Sequence, residues 1–148
     1  MDDDLEQGLD ARHLDDLRKR IAQSPFHRWA GLELTKVGDG EAELRMTLLP
    51  HHFNPQGIVH GGIISAVADS AVGLALRSKL SPGYTHRTAQ LNVHFLAKGE
   101  GNTLIGRGRS LHMGQRTGYG EADVVDGSGR LLARATATFI ILPAPGAF

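Results

Sequence analysis

Residues 54–80, NPQGIVHGGIISAVADSAVGLALRSKL, decide the fold. The turn formers Asn54, Pro55, Gln56 and Gly57 lead into His60-Gly61-Gly62, and an apolar segment follows without a break. Ile63, Ile64, Ala66, Val67, Ala68, Ala71, Val72, Leu74, Ala75 and Leu76 leave almost no polar face. A helix that is apolar nearly all round is a buried helix. Asp69, Ser70 and Arg77 interrupt it too soon for a membrane span, and Ser81-Pro82-Gly83 is where it is expected to stop. Asp69 is the oddity: a carboxylate in the middle of the most hydrophobic helix of the chain.

On either side of this helix the pattern changes to strands. Gly31 to Val37 reads as a strand, Gly38-Asp39-Gly40 as a hairpin turn, and Glu41 to Leu48 alternates, with Ala42, Leu44, Met46 and Leu48 on one face. Downstream, Ala89, Leu91, Val93 and Phe95 alternate with Thr88, Gln90, Asn92 and His94. Strands are also expected near Thr103 to His112, Tyr119 to Val125 and Arg130 to Leu142, where Ala133, Ala135, Ala137 and Phe139 point inward and let a helix approach closely. Upstream, Leu14, Leu17 and Ile21 mark an amphipathic helix over 10–23. Ser24-Pro25 starts a short second helix whose Phe26 and Trp29 are expected to seat it on the core. Runs of strands joined by turns, with one buried helix, predict an antiparallel α+β domain. Its bounds are read as 25–142, with a tail and surface helix over 1–24, frayed over 1–9, and a C-terminal tail over 143–148.

Composition narrows the function classes. The chain of 148 residues is one domain's worth, with 16 basic and 16 acidic side chains and no formal net charge. That argues against a broad nucleic-acid or anionic-membrane surface. The N-terminal helix carries Arg12, Arg18, Lys19 and Arg20, but Asp10, Asp15 and Asp16 balance them. There is no cysteine, which excludes disulfides, thiolate metal sites and a cysteine nucleophile, and is compatible with a cytoplasmic location. MDDDLEQGLD is acidic and lacks an apolar run, so it does not read as a signal peptide. His51, His52 and His60 form a weak cluster without metal-ligand spacing, and no metal is expected. No nucleophile elbow or phosphate loop is present; Gly106-Arg107-Gly108 falls inside a strand.

The start of the central helix offers unpaired amides at the positive end of the helix dipole, and Gly61 and Gly62 have no side chains to shield them. That pattern suits an oxyanion site, and it equally suits tight packing against a strand. Asp69 lies eight residues beyond Gly61, about 12 Å along a helix rising 1.5 Å per residue. No reacting carbon touches both in one chain. If both act on one substrate, two copies of the helix must lie antiparallel in a symmetric dimer. Otherwise Asp69 is a buried carboxylate held by hydroxyls such as Ser65 or Ser70, since an unpaired buried charge is costly. His60, in a turn, reads first as a hydrogen-bonding loop residue.

Asn54-x-x-Gly57-x-x-His60-Gly61-Gly62, then Asp69, then Thr88-x-x-Leu91-Asn92-x-x-Phe95-Leu96, resembles the hotdog-fold acyl-CoA thioesterases, within them the phenylacetic-acid-degradation type. The similarity runs from about Phe26 to Leu142. It implies a five- or six-stranded antiparallel sheet wrapped around one long central helix, in dimers that commonly pair into tetramers. It also implies hydrolysis of an acyl-CoA without metal or redox cofactor, CoA being part of the substrate. The Gly61 amide would polarise the thioester carbonyl, and Asp69 of the partner chain would act as general base or nucleophile. Asn54 and His60 would shape the site, Thr88 would help place water, and Gly62 and Phe53 would border the substrate. Arg116 is preferred among Arg87, Lys98, Arg107, Arg109 and Arg116 as a partner for the CoA phosphates. Rival expectations on the same fold are a non-catalytic acyl-CoA-binding module and an acyl-CoA hydratase or dehydratase.

Overall fold

The computed structural model describes residues 10–146; the tail expected over 1–9 and the last two residues lie outside that range. Helix α1 (Ala11–Gln23) begins where the Asp10 carboxylate accepts the His13 amide at 2.9 Å, and it buries Leu17 and Ile21. Its outer face is held by i,i+4 pairs, Lys19 with Asp15 and Arg20 with Asp16. Helix α2 (Pro25–Ala30) has Ser24 as N-cap and proline in its first turn, and Gly31 ends it in the left-handed region at φ 71°. Only Ala30 of α2 is buried. Phe26 and Trp29 do not seat the segment on the core as expected: they are 43% and 55% exposed and pack against each other and, through Trp29, against His51. The small Ala30 lets the α2 backbone lie close to the core, and the bulky rings turn outward.

Six strands follow the expected order: β1 (Leu32–Gly38), β2 (Glu41–Thr47), β3 (Tyr84–Phe95), β4 (Thr103–Met113), β5 (Thr117–Asp126) and β6 (Leu131–Pro143). They form one antiparallel sheet in the order β1-β2-β4-β5-β6-β3, with β1 and β3 at its edges. Helix α3 (Gly61–Arg77) lies across the inner face, giving the hotdog arrangement. It ends ahead of Ser81-Pro82-Gly83, because the Ser78 hydroxyl donates to the Ala75 carbonyl at 2.7 Å and accepts the Gly40 amide at 2.8 Å. That buried serine closes the last turn and stitches it to the β1–β2 hairpin. No described helix is long and apolar enough to cross a membrane.

Ala133, Ala135 and Ala137 are buried as expected, but the closest approach of helix to sheet is at Gly106 and Gly108 on β4. A methyl at Gly108 would overlap the Ala71 carbonyl, and one at Gly106 would stand 2.6 Å from the Val67 side chain. The Gly-Arg-Gly motif is therefore a packing device, with Arg107 turned to the other face of the sheet. There Arg107 pairs with Glu43 at 3.0 Å, Arg134 with Asp123 at 2.7 Å, and Arg109 with Glu121.

Gly108→Ala forces backbone apart rather than a flexible side chain, so we expect destabilisation of at least about 2 kcal/mol, the upper half of the usual overpacking range. Thermal or denaturant unfolding measures it, and an unchanged midpoint would contradict the packing described here.

Candidate active site

The loop before α3 is built around Asn54. Its side-chain oxygen accepts the amides of Gln56 at 2.9 Å and Ile58 at 3.3 Å, and a bridge between Phe53 and Val59 closes the loop. Asn54 thus shapes the backbone that delivers His60. Histidine 60 is the N-cap of α3, and its Nδ1 accepts the Gly62 amide at 2.8 Å. A side chain at Gly62 would collide with that ring, 2.9 Å from Nδ1. Gly62 therefore spends its amide on the cap. The Gly61 amide has no acceptor among the described residues, and it opens on a cavity of about 380 Å³ beside Phe95 and Leu96. A free donor at a helix N-terminus is suited to an oxygen bearing developing negative charge.

Asp69 sits at the margin of α3, half-buried, where Ser65, Ser70 and Arg77 also remain partly open. The Thr88 hydroxyl donates to its Oδ1 at 2.8 Å. Burial pushes the Asp69 carboxyl above its ordinary value, while the Thr88 hydrogen bond and the nearby His27 pull it back. Neither serine expected to hold Asp69 does so. Ser65 donates to the Gly61 carbonyl at 2.9 Å, and Ser70 pairs with His27 Nε2 at 3.2 Å. His27 is tied at its other nitrogen to Ser24, 2.7 Å away, and burial holds its pKa below the usual histidine value against the pull of Asp69. The sequence offered a signal for His27, three residues after a cap, but nothing local linked it to α3.

Thr88 reaches Asp69 because of a register shift between Thr88 and Gln90. Simple alternation puts Thr88 opposite to Leu91 and Val93. The extra residue, Ala89, changes the parity, so Thr88 pairs with buried Phe139 as Leu91 pairs with Ala137. A bulge has re-aimed the hydroxyl toward the helix.

Within one chain Gly61 and Asp69 open on separate cavities, the second of about 440 Å³. Phe53 is half-buried against the core beside the loop. Arg116 lies in neither cavity; it lines a third, of about 500 Å³, with Lys79, Tyr84 and Gln115. Arg107 and Arg109 are paired on the outer face, Lys98 pairs with Glu100, and Arg87 borders the Asp69 cavity. His51 packs on Trp29, while His52 is fully buried and its Nδ1 accepts the Leu49 amide at 2.9 Å. Among the described residues no three His, Cys, Asp or Glu side chains converge as metal ligands.

The thioesterase superfamily pattern matches residues 56–133, more than half of the chain and all of α3. A medium/long-chain acyl-CoA thioesterase of Salmonella typhimurium is 28% identical over 139 residues, covering 82% of this chain and 88% of that one. Among solved structures, a thioesterase family protein from Silicibacter pomeroyi superposes with TM-score 0.85 at 27% identity, covering 89% of this chain and 99% of that one. A phenylacetic acid degradation-related protein from Ralstonia eutropha does so with TM-score 0.78 at 27% identity, covering 86% and 98%.

Thr88→Val removes the hydrogen bond that favours the ionised carboxylate and leaves burial unopposed by it. The Asp69 pKa, already raised by burial, should then rise further, because the hydrogen bond that favours the charged form is gone. Carboxyl-carbon NMR titration reads this directly; a fall or no change would refute the assigned balance.

Proposed function

The chain belongs to the thioesterase superfamily, and on that premise we propose that it hydrolyses an acyl-CoA thioester to a carboxylic acid and free CoA at a site shared between two protomers. The observation that carries the proposal is the half-buried Asp69, held by Thr88, eight residues along α3 from the unshared Gly61 amide. The Gly61 N–H donates to the thioester oxygen. Ionised Asp69 takes a proton from water as the water oxygen adds to the carbonyl carbon, and Thr88 keeps the carboxylate aimed. Collapse of the tetrahedral adduct breaks the carbon–sulfur bond, and the proton on Asp69 passes to the departing CoA sulfur. The chain's own groups and water suffice, so the reaction calls for no metal or redox cofactor.

Two protomers are required because Asp69 and Gly61 stand about 12 Å apart along one helix. Strand β3 supports a specific pairing: it is a long edge strand whose outer backbone groups can pair with a second copy. Antiparallel pairing of two β3 strands centred between Leu91 and Asn92 sets Thr88 of one against Phe95 of the other. That brings the cavity beside Gly61 up to Asp69 of the partner. Tetramers formed from such dimers are part of the same proposal.

Two variants and their mixture test it. Asp69→Asn keeps shape and removes the base, so thiol release from acyl-CoA should fall at least ~100-fold. Gly61→Pro deletes the amide proton at the first helical position, where proline is tolerated, and should cost about 10²–10³-fold in kcat. Each variant alone should keep at most about 1% of wild-type turnover, but refolding them together should restore about a quarter of it, since half the dimers then carry one intact composite site. No restoration would place both groups in one chain's site and refute the shared arrangement. The acid limb of the wild-type rate should lie above pH 3.8, because water attack needs ionised Asp69 and burial delays that ionisation.

A further inference from the structure

The cavity beside Asp69 runs along α3 toward its C-terminal end and has an unusual charge balance. Three arginines line it, Arg20, Arg77 and Arg87, against a single carboxylate, Asp69 itself. Asp69, Gly73 and Arg77 follow one another at four-residue steps, so they occupy one stripe of the helix. Gly73, in the middle of that stripe, is buried against the Phe139 ring, 3.3 Å from where a Cβ would stand, so that ring forms an apolar floor for the groove.

Arg77 stands at the far end. It is half-buried, and its Nη2 donates to Thr85 Oγ1 at 3.0 Å. Among the described residues no carboxylate lies within ion-pair distance of it. Asp16, the acidic group whose charge reaches it, is already bonded to Arg20 at 2.9 Å. His86, packed on the same wall, donates its Nε2–H to the Gly73 carbonyl at 2.7 Å and is held toward its neutral form by burial, so it offers no negative charge. The helix C-terminus favours a cation here but does not use its fork of donors. A partly desolvated guanidinium with free donors, at the end of an apolar slot that starts at the proposed base, is built to receive a carboxylate in a bidentate pair.

We infer that the acyl group of the substrate carries a carboxylate at its distal end, the ester being a monothioester of a dicarboxylic acid whose free end is held by Arg77. This rests on the proposed hydrolysis. The apolar floor takes the methylenes, Asp69 meets the thioester carbon, and Arg77 reads the far terminus. The phosphates of CoA are the other source of negative oxygen that could reach this arginine. The half-burial of Arg77 on the same groove as Asp69, eight residues along one helix face, favours the small acyl terminus.

The test compares ω-carboxyl acyl-CoAs of four to eight carbons with methyl-terminated esters of matching length. It is repeated with the N-acetylcysteamine thioesters, which lack every phosphate. For the best-fitting length, kcat/KM should favour the carboxylate at least about 10-fold in both series. Arg77→Met should abolish that preference in both, and Arg77→Lys should keep part of it. Equal turnover of carboxyl and methyl esters by the wild type overturns the inference and leaves hydrolysis standing. Arg77→Met slowing all CoA esters alike, with no effect on the N-acetylcysteamine esters, overturns it in favour of phosphate binding. No thiol release from any ester sinks the proposed function itself, and the inference with it.

Discussion

The contact between the backbone of α3 and the backbone of β4 is the constraint on which the rest of the structure depends. Gly106 and Gly108 let Val67 and Ala71 come down onto the strand with no side chain between them. Helix and sheet are consequently locked in both rotation and translation, as interiors packed at crystal-like density are. With the Ala68–Ala71–Ala75 side of the helix pressed inward and fully buried, the positions left at its margin are decided. They include Gly61, Ser65, Asp69 and Arg77, each four or eight residues from the next. The groups proposed to act on the substrate lie on that margin because the opposite face is committed to packing.

A rigid helix alone does not hold a carboxylate in a productive direction. Strand β3 does so by breaking its own alternation. The bulge at Ala89 brings Thr88 onto the helix side, where its hydroxyl meets Asp69. Without the extra residue that hydroxyl would face away and a nonpolar side chain would sit beside the carboxylate. Burial would then act on Asp69 without that hydrogen bond to oppose it, and a more strongly raised pKa would reduce the ionised base at neutral pH. A local irregularity on an edge strand therefore tunes a charge on the central helix.

Much of this was legible in the sequence, and the illegible parts share a cause. Strands β1, β2, β5 and β6 follow from hydrophobic alternation, α3 from its apolar run, and its start from His60-Gly61-Gly62, because these signals are local. Asp69 stands out as a charge where apolar residues dominate. The partly open stripe could have been read from Gly61, Ser65, Asp69 and Arg77, spaced by multiples of four, yet the apolar density around it suggested a helix buried on all sides. Parity through the bulge was not readable, since inserting Ala89 costs nothing in composition and shows only as a register shift against β6. Likewise the bond from His27 to Ser70 joins residues 43 apart, and the outward turn of Trp29 depends on Ala30 fitting beneath it. Long-range pairings of this kind leave no periodic trace.

The groove wall opposite α3 comes from the N-terminal helices. Ile21, Ser24 and His27 face Asp69, Ser70 and Leu74 across it, and the hydrogen bond from His27 to Ser70 fastens the wall to the helix. These residues precede the 56–133 segment that carries the superfamily pattern, and Phe139 at the groove floor follows it. The division has a physical meaning. The groups proposed to polarise the carbonyl and act as base, the Gly61 amide and Asp69 with Thr88, lie inside the shared segment. The shape and charge of the space for the acyl group are set in part by elements outside it, where a change in α1 or α2 need not disturb the packing of α3 on β4. On the proposed hydrolysis, proteins that share this segment can differ in the acyl group they accept, and the determinants of that choice are to be sought in groove residues outside it, such as Ile21, His27 and Phe139, as well as in Arg77 within it.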